Sequence, residues 1–229
     1  MLNRKHAALL RDPLARADST DQQPGTKLTV GRRQALFRAQ EPAPSIYEVL
    51  SGSFMVYRLL ADGRRQIIDL ALPGSLCGFV CTELHECSCE ALAPSTVVAF
   101  DRATLASNDD IARSLSQKME QQICTLAEHI VLLGRRTTEE RLANFLVKCS
   151  EIWRTASDDK AIVFRIPMTR VEIGDYLGMS LETVSRGIAD FERRGFIRTG
   201  GRQGEMRVFE VSALASAWRS QRKIRKHAK

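Results

Sequence analysis

Met168–Ile197 reads MTRVEIGDYLGMSLETVSRGIADFERRGFI, and its caps and glycines decide the fold of the last third of the chain. Thr169 followed three residues later by Glu172 is a capping box, which predicts a helix running to about Leu177. Gly178 supplies the positive φ needed to leave that helix. Ser180 then caps a second helix whose inner face is Val184, Ile188 and Phe191, with Leu181 near its start, and Gly195 ends it. Two short helices joined by a tight glycine turn form a helix-turn-helix. With the apolar residues inward, Glu182, Ser185 and Arg186 fall together on the outward face. A carboxylate accepts from cytosine N4, a guanidinium grips guanine O6 and N7, and a small hydroxyl tolerates thymine. Arg170, Thr183, Arg193 and Arg202 are placed to touch phosphates, which fixes register without reading sequence.

Downstream, Phe196-Ile197-Arg198, a turn at Gly200-Gly201 and Arg207-Val208-Phe209-Glu210-Val211 make the wing. Any amphipathic helix pair carries charge outside; both caps, the glycine turn, the wing and a basic bias occurring together point to DNA. The bias is local. Met1 to Phe164 holds twenty basic and twenty acidic side chains, whereas Arg165 to Lys229 holds fourteen against seven. The whole formal net charge of +7 therefore sits in the C-terminal part, the part expected to meet a polyanion. Residues 219–229 hold six of those basic groups and read as a basic tail.

Upstream, Thr138 to about Trp153 reads as a helix with Leu142, Phe145, Leu146 and Cys149 inward, followed by a loop over Thr155 to Lys160 and a short strand at Ile162–Ile166. Before it, Ile111, Leu115, Met119, Ile123, Leu126, Ile130 and Leu133 recur at spacings of four or three. No Gly or Pro interrupts between Asp109 and Leu133, so these residues form one stripe of a long helix. A stripe this narrow predicts a coiled-coil seam with a second copy of the chain, making 109–135 a dimerisation helix. The competing reading packs the stripe on the chain's own β-domain. Gly134-Arg135-Arg136 is expected to break the helix and act as a hinge.

Residues 26–108 change character. Ile46–Leu50, Phe54–Tyr57, Gln66–Leu70 and Thr96–Phe100 are β-rich, separated by the turn pairs Ser51-Gly52, Asp62-Gly63 and Pro73-Gly74. Short strands at this spacing predict a β-roll or jelly roll. Residues 1–25, ending in Gln23-Pro24-Gly25, read as a loose arm. No apolar run approaches the roughly 20 residues of a membrane span and no signal-peptide core is visible, so the expected setting is the cytoplasm, with no membrane and with reduced thiols.

With these residues in place, the chain resembles the Crp/Fnr family over about residues 26–218. Tyr47–Phe79 (YEVLSGSFMVYRLLADGRRQIIDLALPGSLCGF) resembles its β-roll sensor, and Arg136–Asn144 (RTTEERLAN) looks like the start of its DNA-binding domain. The resemblance implies an α+β protein: a cyclic-nucleotide-binding-like β-roll at 26–108, a dimer helix at 109–135 and a winged helix-turn-helix at 136–218. Glu182, Ser185 and Arg186 match the reading triad of the Fnr and FixK branches; the cyclic-AMP branch has Arg and Gly where this chain has Leu181 and Ser185. The same resemblance implies a homodimer on a TTGAT-N4-ATCAA-like palindrome, contact with RNA polymerase, and activation of transcription.

What the roll senses is less legible. Where the family holds a cyclic nucleotide's phosphate with Arg beside Ser or Thr, this chain has Glu86-Cys87-Ser88-Cys89-Glu90, so cyclic AMP is not expected. No cysteine precedes Cys77, so the cluster arrangement of the Fnr arm is absent. Instead Cys77, Cys81, Cys87 and Cys89 crowd into thirteen residues. Four thiolates suit an iron–sulfur cluster or Zn²⁺. Reversible thiol oxidation and idle buried thiols are the other readings, and all three stand open. Cys124 and Cys149 read as packing residues. His85, beside Glu86, reads as a solvated loop residue, so haem is not expected. A metal enzyme on a cupin-like roll needs clustered histidines, whereas His6, His85, His129 and His227 lie in four separate regions, so an enzyme is not expected. Within the same branch, the alternative to a cluster is a FixK-like regulator with no bound effector, controlled by abundance or thiol oxidation.

Overall fold

A computed structural model of the chain describes residues 25–105, 107–157, 161–200, 205–209 and 214. Most of the expected arm (1–25), all of the basic tail (219–229) and Arg202 lie outside the described residues. The first half folds into two four-stranded antiparallel sheets. One runs β1 (Thr26–Val30), β8 (Ser95–Asp101), β3 (Ser45–Ser51), β6 (Leu76–Cys77); the other runs β2 (Ala35–Phe37), β7 (Ser88–Ala91), β4 (Phe54–Leu59), β5 (Arg65–Ala71). The four strands expected from the sequence are β3, β4, β5 and β8; the shorter β1, β2, β6 and β7 lacked a signal of their own. Alternation along the strands drives the packing: in β5, Ile67, Asp69 and Ala71 turn inward while their neighbours stay half-exposed. Phe37, Tyr47, Val49, Phe54, Ala71, Cys77, Cys89 and Val97 fill the space between the sheets.

After a single turn, α1 (Arg102–Leu105), comes the long helix α2 (Asp109–Arg135). Asn108 caps it by accepting from the Ile111 N–H at 3.2 Å, and Asp109 and Asp110 complement its N-terminal dipole. The helix runs through Gly134 and Arg135 and ends at Arg136, the last of the three residues expected to break it, and Thr137 starts α3 (Thr138–Ile152) with a capping box to Glu140. The structure departs from expectation at β9 (Arg154–Ser157), a strand where a loop was expected, because its backbone finds a partner in β10 (Ile162–Arg165). Then come α4 (Arg170–Leu177), α5 (Leu181–Arg193), β11 (Ile197–Thr199) and β12 (Glu205–Val208), which give a further sheet in the order β11-β12-β10-β9.

The stripe of α2 divides between two environments. Leu115 is buried with Leu76, Val98 and Phe100 of the roll, with Ile111 packed alongside. These two leave the expected dimer seam because the roll offers them an apolar surface at the start of the helix. Met119, Ile123 and Ile130 stay exposed, and Leu126 and Leu133 are half-buried. Cys124, expected as a packing residue, is exposed, whereas Cys149 is buried. Polar ties also bind α2 to the roll: the Gln122 side chain donates to the buried Asp69 carboxylate at 2.6 Å and to the Leu76 carbonyl at 2.9 Å, and accepts from the Leu76 N–H at 3.0 Å. Lys118 pairs with Glu48. A single buried cluster then runs from Met55 and Ile67 of the roll through Leu132 to Leu142, Phe145, Phe164, Leu177, Val184 and Phe191. Among the described residues no helix is long and apolar enough to cross a membrane.

Candidate nucleic-acid interface

The helix-turn-helix forms as its caps dictate. The Thr169 hydroxyl accepts from the Glu172 N–H at 3.2 Å, and the Glu172 carboxylate accepts from the Thr169 N–H at 2.7 Å. Gly178 closes α4 at φ 62, a left-handed turn that suits glycine. Ser180 caps α5 by accepting from the Thr183 N–H at 3.2 Å. Val184, Ile188 and Phe191 are buried and anchor α5, whereas Leu181 is exposed. The inner face of α5 therefore begins at Val184.

Two residues without a motif of their own set how α5 sits. Arg141 of α3 donates from Nη1 to the Leu177 carbonyl at 2.6 Å, which satisfies the open end of α4 next to the turn. Gly187 faces Leu142 of α3, and a Cβ there would stand 2.6 Å from Leu142 Cδ2. Glycine inside a helix is otherwise unfavourable by roughly 1 kcal/mol, which was the available signal. At the far end, the Glu192 carboxylate accepts from the Thr199 N–H at 2.7 Å and ties α5 to the wing.

On the opposite face, Glu182 and Arg186 are exposed and Ser185 is half-exposed, so the three predicted reading residues stand together toward solvent. The Glu182 carboxyl is held below the usual range, first by its own backbone N–H, then by Ser180, with Arg186 adding to the effect. An ionised acceptor is the form that cytosine N4 requires. Arg170 reaches from α4 toward Ser185, with Nη1 to Oγ at 3.5 Å. The Thr183 hydroxyl lies 3.1 Å from that of Ser180. Arg193 pairs with Asp190 at the surface. Thr183, Arg186 and Arg193 line one open groove of about 360 Å³ between α5 and the start of α3, where Thr138 joins them. The arrangement can present an acid, an alcohol and a guanidinium to base edges, flanked by donors for phosphate.

In the roll, the four clustered cysteines do not converge. Cys77 and Cys89 are buried between the sheets, Cys87 is half-buried and Cys81 is exposed. The strand alternation of β7 turns Cys89 into the core, while the loop after β6 carries Cys81 outward. Burial pushes the Cys89 thiol well above its usual range, and its hydrogen bond and proximity to Cys77 push the same way. Cys87 is also raised, again mainly by burial. Among the described residues no group of three or more His, Cys, Asp or Glu side chains could hold a metal ion. These residues do not fit an iron–sulfur cluster or a zinc site. His85, expected in solvent, is instead buried and stacks on Phe37 with ring centroids 3.8 Å apart. Burial lowers its pKa.

Residues 27–107 match the cyclic nucleotide-binding domain family, and residues 140–217 match the Crp-like helix-turn-helix domain family. The nitrogen fixation regulation protein FixK of Bradyrhizobium diazoefficiens is 34% identical over 180 residues, covering 76% of this chain and 74% of that protein. The transcriptional activator protein anr of Pseudomonas aeruginosa is 34% identical over 187 residues, covering 79% and 76%. Among solved structures, FixK2 from Bradyrhizobium japonicum superposes with a TM-score of 0.74 at 30% identity, covering 85% of this chain and 98% of FixK2.

Proposed function

Because the chain belongs to the Crp/Fnr family of DNA-binding transcription regulators, which are not enzymes, we propose that it acts in the cytoplasm as a homodimer on a TTGAT-N4-ATCAA-like palindrome. The observation that carries this reading is the joint outward presentation of Glu182, Ser185 and Arg186 on a helix anchored by Val184, Ile188 and Phe191. Arg186 grips the guanine of each half-site, Glu182 accepts from the cytosine of the same half-site, and Ser185 lies against a thymine. Arg170, Thr183, Arg193 and Arg202 contact phosphates. The exposed part of the α2 stripe (Met119, Ile123, Ile130) supports pairing with a second copy. Once bound, the dimer recruits RNA polymerase and activates transcription; the similarity to anr, whose name is that of a transcriptional activator, supports the direction of the effect.

Of the two control schemes, the buried positions of Cys77 and Cys89 favour a regulator with no bound effector, set by its own abundance. Burial keeps the Cys89 thiol protonated, and a protonated thiol is a poor nucleophile and a poor metal ligand. Glu86 and Glu90 stand where a cyclic nucleotide's phosphate would need cations, which argues against cyclic AMP. The test is a binding titration on TTGAT-N4-ATCAA and on scrambled duplex, with protein purified in air and without air. Equal affinity for the two duplexes would sink the base-reading assignment. Binding that vanishes when all six cysteines are replaced by serine, in a protein that still folds, would sink the effector-free scheme.

A further inference from the structure

The roll and the helix-turn-helix meet on a two-point bracket of ion pairs. Arg33, in the turn after β1, donates from both terminal nitrogens to Glu172, with Nη2 to Oε2 at 3.1 Å, and lies 3.6 Å from Glu90. Arg65, at the start of β5, donates from Nε to Asp175 Oδ2 at 2.8 Å and lies 3.8 Å from Glu172. Beside it, Gln66 donates to the Asp175 carbonyl at 2.7 Å. Glu172 and Asp175 both belong to α4, the helix before α5, and Glu172 is also the carboxylate of its capping box. Burial would raise the Glu172 carboxyl, but the bonds from Arg33 and Thr169 outweigh it and hold it low. Arg33 itself sits at φ 68 with its N–H donating to the Ala91 carbonyl at 2.8 Å. Non-glycine residues adopt this conformation rarely, and it persists only where the surroundings hold it. Tyr176, also on α4, stacks on His129 of α2 with centroids 4.1 Å apart.

The shared buried cluster holds α4 against the roll but is non-directional; two ion pairs three residues apart along the helix add the angular constraint that apolar packing does not supply. We propose that Arg33 and Arg65 of the β-roll are positioning residues for DNA reading, which grip Glu172 and Asp175, fix the direction of α5 against α2, and thereby set the half-site spacing the dimer accepts. The proposal rests on the dimeric, base-reading assignment above. Its physical content is geometric. Each base pair added to the spacer moves the second half-site by about 3.4 Å and turns it by about a tenth of a turn, so a held pair of reading helices tolerates one spacing and a pivoting pair tolerates several.

The experiment measures affinities of the full-length chain for TTGAT and ATCAA half-sites separated by three, four, five or six base pairs, and for a four-base-pair site with each guanine replaced. The wild type is expected to prefer one spacing by roughly tenfold or more, the scale of a mismatched step. Arg33→Ala with Arg65→Ala is expected to bring the spacings within about threefold of one another, since the charged hydrogen bonds lost are each worth about tenfold or more, while discrimination at the guanine stays at its wild-type ratio. Alanine keeps a Cβ, so the backbone conformation at 33 is no easier than before and only the guanidinium is tested. The charge exchange Arg65→Asp with Asp175→Arg is expected to restore spacing selectivity lost in Arg65→Ala, whereas a merely stabilising role would move the melting temperature in these variants without moving the ratio between spacings. Should the double variant fail to fold, the single Arg65→Ala and the exchange decide the matter. Unchanged spacing preference in folded variants that still discriminate the guanine overturns the proposal. A wild type that ignores the guanine overturns the base-reading assignment instead, and that failure is visible before any variant is made.

Discussion

Ile130→Asp is the sharpest probe of how two copies meet. Ile123 is 59% and Ile130 is 69% exposed on the isolated protomer. Fully burying an isoleucine is worth about 1.5–3 kcal/mol, so covering the remaining surface is worth about 1–2 kcal/mol for each, and about 4–8 kcal/mol for two side chains on two protomers. Aspartate at position 130 removes roughly half of that and sets two carboxylates near each other across the two-fold axis. The expected loss of about 2–4 kcal/mol weakens dimerisation roughly 30- to 1,000-fold. Sedimentation velocity from nanomolar to micromolar protein reads the shift directly, and binding to a palindrome should weaken in parallel while a single half-site is affected little. A dimer constant unchanged by the substitution would refute the assignment of this face as the seam and leave the exposed isoleucines without a partner.

Arg186→Ala should lose about 1–3 kcal/mol of discrimination at the guanine with a smaller loss on scrambled duplex, as read by competition titration; equal losses on both duplexes would contradict base reading. Thr169→Ala removes the acceptor for the Glu172 N–H and should lower stability by about 1 kcal/mol, or about 2–4 °C in Tm. His129 is buried, and that burial, with Lys148 adding, lowers its pKa from 6.5 to about 4. Between those values the unfolded chain takes up a proton that the folded chain refuses, so stability should fall as pH drops from 6.5 toward 4. His129→Phe keeps a ring against Tyr176 and should flatten that part of a urea-midpoint profile against pH; an unaltered slope would assign the pH dependence to other groups. Gly187→Ala drives a Cβ to within 2.6 Å of Leu142 Cδ2 and should cost about 1–3 kcal/mol unless Leu142 repacks, which a melting curve would show.

The helix-turn-helix was the most legible part of the chain because its signals are local: a capping box, a left-handed glycine and a serine cap each act within four residues. The four longest strands of the roll announced themselves by alternation and turn pairs. β1, β2, β6 and β7 did not, since strands of two to five residues owe their existence to partners distant in sequence. β9 was hidden for the same reason. Periodicity placed Ile111 and Leu115 on the correct stripe of α2 but could not say which surface would cover it; that depends on Leu76, Val98 and Phe100, brought near only by the folded roll. Cysteine spacing misled most. Four thiols within thirteen residues resemble a ligand set in one dimension, yet strand alternation sends Cys89 to the interior and a loop sends Cys81 to solvent. The pairing of Arg33 with Glu172 joins residues 139 apart, and nothing local in the sequence marks it.

The buried cluster that passes from Met55 and Ile67 into the core around Phe145 and Phe191 leaves no seam at which the chain could be cut cleanly. Grafting this reading module onto a foreign roll would strip away part of its own interior, so a chimera joined at the end of α2 would begin with a wound to close. Heated, the sensor half and the reading half should melt in one transition, and whatever loosens one will be felt at once by the other.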